Sequence, residues 1–78
     1  MGRTRNKLDA HLLNDSRLRV KRLLAEFAQG GYDEAKAEYV KGVLMGYAIA
    51  AGTVGLEYAV SCINECVDRI SDAAPSKE

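Results

Sequence analysis

The only proline in the chain is Pro75, so nothing in residues 1–74 forbids an unbroken ladder of helical backbone hydrogen bonds. Apolar side chains recur along that stretch at spacings of three and four, the period of a helix. The two observations predict an all-α protein. With 78 residues it forms one domain, and a domain this short has a thin core unless something supplements it. Two cysteines and one histidine supply neither a structural zinc site nor a disulfide framework, so packing against a partner or another copy is the expected supplement.

A first helix is expected from about Asn6 to Gln29, with a restart at Asn14-Asp15-Ser16, three residues that favour helix caps. On a helical projection Leu12, Leu13, Val20, Leu23, Leu24 and Phe27 share one stripe, and Lys7, Arg19, Lys21, Arg22, His11 and an out-of-place Leu18 lie opposite. Gly30-Gly31 ends the helix, because one glycine takes the left-handed cap conformation. Asp33 is placed to cap the next helix, with Glu34 in its first turn. Two helices joined so closely lie antiparallel.

Beyond Asp33 a helical pattern persists to about Ser71. Met45, Ile49, Gly52, Leu56, Ala59, Ile63, Cys66 and Ile70 follow one another in steps of four and three, a sustained heptad seam. Gly52-Thr53-Val54-Gly55, four poor helix formers, interrupt it. Two arrangements satisfy the pattern. In one, the chain turns near Gly52 into a small three-helix bundle, with Thr53 capping the last helix. In the other, a helical hairpin has a long second helix of roughly 38 residues, near 57 Å at 1.5 Å per residue. A break has no reason to preserve the phase of the seam, and the phase is preserved, which favours the uninterrupted helix. In that case Leu56, Val60, Ile63, Val67 and Ile70 lack cover within the chain and mark an interface between copies; in the bundle they are core.

Gly42, Gly46 and Ala50 recur every fourth residue and line one helix face, where small side chains let a second backbone approach closely. The expected partner is helix one or another copy. Cys62 and Cys66 lie one turn apart, a poor geometry for a disulfide, and read as small apolar residues at and beside the seam. The expected packing or oligomer contacts are therefore Gly42, Met45, Gly46, Ile49, Leu56, Ile63, Cys66 and Ile70.

The formal net charge of zero conceals a polarised chain. Residues 1–23 carry Arg3, Arg5, Lys7, Arg17, Arg19, Lys21 and Arg22 against Asp9 and Asp15, a balance of +5, and the remainder carries −5. Arg17, Arg19, Lys21 and Arg22 are the candidates for meeting an acidic partner or a polyanion. A nucleic-acid reading lacks interleaved aromatics and any helix-turn-helix signature, so it stands behind protein contact. His11 falls on the polar face without a nucleophile beside it, and no phosphate-binding or dinucleotide motif is present, so no catalysis, cofactor, metal or small-molecule substrate is expected. The least charged stretch, Gly42 to Leu56, is too short to span a membrane. A basic, flexible arm over residues 1–5 and a polar tail over residues 72–78 flank the domain, and no secretory or myristoylation signal opens the chain.

Residues 31–46, Gly31-Tyr32-Asp33-Glu34-Ala35-Lys36-Ala37-Glu38-Tyr39-Val40-Lys41-Gly42-Val43-Leu44-Met45-Gly46, resemble the helical hairpins of short proteins from tailed bacteriophages. Those hairpins pair a basic, Leu-rich first helix with a Tyr…Gly-x-x-x-Gly second helix. The resemblance implies a viral setting, either a virion accessory subunit or a small inhibitor of host machinery, in the cytoplasm of a bacterial host or in the virion. Together these readings make the chain a self-associating interaction module that docks on a larger protein assembly. The alternatives are an inhibitor of a host complex and a nucleic-acid-binding accessory factor.

Overall fold

The computed structural model describes residues 2–75, with side chains from residue 7 onward. Three helices follow one another: α1 (Gly2–Gly30), α2 (Glu34–Thr53) and α3 (Glu57–Asp72). They pack up, down and up, with no strand among the described residues. The long axis of the molecule is 48 Å, set by the 29-residue α1, and the other two extents are 22 and 16 Å.

Each connection is built by a glycine with positive φ. Gly31 (φ 89°) follows α1 and donates its N–H to the carbonyl of Phe27 at 2.8 Å, the single-bond left-handed cap that this backbone region permits. The Phe27 and Tyr32 rings, 5.0 Å apart, close over the turn. Asp33 then accepts from the backbone N–H of Lys36 at 3.1 Å and caps α2 as its position in the sequence predicts. Lys36 bridges the same turn to Glu26 at 2.8 Å.

The second connection overturns the uninterrupted helix. Gly55 (φ 79°) donates to the carbonyl of Gly52 at 3.1 Å, and Leu56 donates to that of Ala51 at 2.8 Å. This pair of reversed bonds is a Schellman motif, which satisfies the last carbonyls of α2 while turning the chain. Thr53 does not cap α3. Its Oγ1 instead donates back to the Ile49 carbonyl at 2.9 Å, and Leu56 begins α3 with no side-chain cap. α3 returns along α2, and these two helices make the most extensive pairing in the molecule.

The core shows why the preserved heptad phase is misleading. The line of core positions along α2 is Ala37, Val40, Leu44, Tyr47 and Ala51; from the cap of α3 onward it is Leu56, Ala59, Ile63, Cys66 and Ile70. Each series steps by three and four, but the step from Ala51 to Leu56 is five, the extra length taken by the glycine turn. Leu56, Ile63, Cys66 and Ile70 therefore pack inside the bundle, the first of the two roles expected of them. Met45 and Ile49, assigned to the same seam by sequence, sit one and two positions past core residues and face outward.

α1 contributes Leu12, Leu13, Val20 and Leu23 to the core, with Leu24 and Phe27 half-buried beside them. The predicted restart at Asn14-Asp15-Ser16 does not occur: α1 passes straight through, and Ser16 is fully buried with no hydrogen-bond partner for its Oγ among the described residues. Backbone helix begins at Gly2; the side chains of residues 1–6, on which the expected basic arm rests, lie outside the described residues, as do residues 76–78 of the polar tail.

Candidate functional site

Two surfaces carry the residues singled out by sequence. The first is the outward face of α2. Gly42 and Gly46 lie at its centre, and a Cβ placed on either would meet nothing within 4 Å. The close approach to helix one expected for these glycines is therefore absent; the side of α2 that touches the bundle is the opposite one. Around the glycines Tyr39 (69% exposed), Met45 (56%) and Ile49 (71%) stand out from the surface, continued by the exposed Val54 at the turn. No charged residue occurs between Lys41 and Glu57, so this face is apolar or small throughout its second half. The second half of α2 is consequently apolar on both sides, and only one side is covered. Helices with apolar residues all round are ordinarily enclosed on all sides.

The second surface comprises the cations of α1. Sequence grouped Arg17, Arg19, Lys21 and Arg22 as one patch, and the helix separates them. Arg19 and Arg22 line the groove toward α2, together with Asp15 and Glu26. There Arg19 Nε donates to Asp15 Oδ2 at 2.8 Å, and the Tyr47 hydroxyl donates to the same oxygen. Asp15 is held below the ordinary carboxylate range by the Tyr47 hydrogen bond first and that of Arg19 second. The same bond holds the Tyr47 hydroxyl above its usual value, with burial adding to the effect. Arg19 is thus ion-paired within α1, beside the Asp15–Tyr47 bond that ties α1 to α2.

Arg17 and Lys21 instead flank the cleft between α1 and α3. They are joined there by Arg69 and Glu65 from α3, over Leu24, Cys62 and Cys66. The volume of this cleft is about 460 Å³. Burial pushes the Cys66 thiol up, opposed by the positive fields of Arg69 and then Arg17, so both guanidinium groups bear on its floor. At the rim, Tyr58 lies against Cys62, which raises the pKa of its hydroxyl; the charge of Arg17 acts in the opposite direction. Arg69, Tyr47 and Asp15 were not identified from sequence. The one-turn spacing of Glu65 and Arg69 is present in the sequence, but only the turn at Gly55 brings Arg69 opposite Arg17.

Among the described residues no group of three or more His, Cys, Asp or Glu side chains is arranged to hold a metal ion, and no helix is long and apolar enough to cross a membrane. No protein-family model, curated protein or solved structure matches the chain.

Proposed function

We propose that the protein is a non-catalytic interaction module that self-associates through the outward face of α2 and docks on a larger protein assembly. The observation that carries this reading is the uncovered side of α2, a helix apolar on both sides beyond Lys41, with Tyr39, Met45 and Ile49 in water. Gly42 and Gly46 leave the backbone bare between those side chains, so an identical helix crossing there brings its own backbone close and sets its large residues beside the groove. A second copy is the occupant best fitted to this face, since a symmetric contact pairs the small-residue strip with itself and demands no complementary charge. On the resemblance of residues 31–46 to phage helical hairpins, the larger assembly is a virion and the setting a bacterial host cell.

Sedimentation equilibrium across a wide concentration range tests the reading. The expected result is a monomer–dimer equilibrium for the natural chain that Ile49→Asp weakens by about a hundredfold or more, because an unpaired charge in a dry contact costs at least about 3 kcal/mol. Helicity should be unchanged, because Ile49 touches little in the monomer. A natural chain that stays monomeric at all concentrations overturns the proposal.

A further inference from the structure

The α1–α3 cleft holds a feature that self-association does not use. Arg17 and Lys21 stand one turn apart on α1, and Arg69 faces them from α3. Among the described residues the only acid lining the cleft is Glu65, which leaves an excess of two positive charges in one concavity. None of the three cations lies within ion-pair distance of a carboxylate among the described residues. By contrast, the cations outside the cleft that do form pairs, Arg19, Lys36 and Lys41, have carboxylates at 2.8 Å. Three positive charges that converge from two elements against the single charge of Glu65, over a partly apolar floor, describe a binding site for an anion.

We propose that this cleft binds a small organic phosphate monoester. A phosphate monoester carries a charge near −2 at neutral pH and three acceptor oxygens, which matches the excess charge and the three donors. The volume of about 460 Å³ falls in the range of small-ligand clefts and exceeds the needs of a bare phosphate. The remaining space is bounded by Leu24 and Cys62, which offer an apolar wall, and by Glu65, which accepts from a hydroxyl on the organic body. A nucleic-acid strand fits less well. Its phosphates each carry one charge and call for a row of cations along the surface, whereas Arg19 is tied to Asp15 and Arg22 lies in the other groove.

Cys62 gives the experiment a local reporter, because its thiol lines the cleft and is half-exposed while Cys66 is buried. Alkylation of Cys62 by iodoacetamide, a neutral reagent, is followed by fragment-resolved mass spectrometry on the full chain. The probes are adenosine 5′-monophosphate, glycerol 3-phosphate, unphosphorylated adenosine and a short single-stranded oligonucleotide, all at ionic strength matched with chloride. The phosphate monoesters should slow alkylation, and adenosine should not. Arg69→Gln and Lys21→Gln should each weaken protection about tenfold or more, the loss of a charge-assisted hydrogen bond, with helicity retained. Arg22→Gln, in the opposite groove, should leave protection unchanged. Absence of protection at about 10 mM monoester, tenfold weaker than a millimolar site, overturns the proposal. So does equal loss in Arg22→Gln, which would mark diffuse attraction, or protection by the oligonucleotide at far lower concentration than by either monoester.

Discussion

Truncating Leu44 and Met45 separately to alanine distinguishes the observed packing from the one the heptad seam suggests. The two residues are adjacent, of similar size and far from any helix end. Leu44 is fully buried and Met45 is 56% exposed. Leu44→Ala removes buried methyl groups and leaves a cavity in a core that neighbouring helices cannot fully collapse, so it should cost about 2–5 kcal/mol. A small domain has little more than that in total stability, and the variant is expected to be partly unfolded at room temperature. Met45→Ala gives up a side chain with less than half of its surface buried and gains helix propensity, and should cost less than about 1 kcal/mol. Urea titration followed by far-UV circular dichroism measures both, at a protein concentration low enough for the monomer to predominate. Repeating the titration at high concentration separates the second role of Met45: there its truncation should also remove the stabilisation that dimer formation supplies by mass action. Equal costs for the two variants at low concentration, or a larger cost for Met45, would refute the register of α2.

Other substitutions test single features. Gly55→Ala forces a Cβ into the left-handed region and should lower stability by about 1–2 kcal/mol, read as a reduced urea midpoint. Ser16→Ala removes a buried hydroxyl that has no partner and should be neutral or stabilising by up to about 1 kcal/mol in the same titration. The Asp15–Tyr47 bond confers stability in a two-sided pH window. Asp15 has a depressed folded pKa, so its contribution is present above the unfolded carboxylate value and is lost as pH falls through the folded one. Tyr47 has a raised pKa, so its contribution is present below the unfolded phenol value and is lost as pH rises through the folded one. Melting temperature against pH should flatten on the acid side in Asp15→Asn and on the alkaline side in Tyr47→Phe; unchanged profiles would show that the bond contributes nothing.

Much of the fold is legible along the chain because it is written in local chemistry. Gly30-Gly31 and Asp33 each act within a few residues, and the turn they make is the one expected. The apolar stripe of α1 is legible because its opposite face is polar. α2 is ambiguous for the reason that makes it interesting: apolar residues on both faces allow two series, 44-47-51 and 45-49-52, to fit a helical period equally well. Only the second crosses Gly55 in step with α3, and it is the wrong one. Periodicity counts residues and cannot register that a Schellman turn shifts the phase by one. The surfaces follow the same logic. Arg17 and Arg19 look equivalent on a list of charges, yet two residues of helical rotation send one toward α3 and the other toward Asp15 and Tyr47. Arg69, far along the sequence, joins the cleft only after the chain has doubled back.

The dominance of the α2–α3 pairing also orders events in time. These helices are consecutive, and a three-residue link with one glycine joins them, so their contacts close a short loop and lose little chain entropy. α1 shares less surface with either, and its bond from Asp15 to Tyr47 spans 32 positions. The hairpin is thus the natural nucleus and α1 the late arrival, with the carboxylate–phenol bond fixing where along the hairpin α1 comes to rest. A chain assembled in that sequence leaves the α1-facing sides of α2 and α3 exposed until its final step, and the ribosome, which makes α1 first, holds the cationic helix waiting for a surface that does not yet exist.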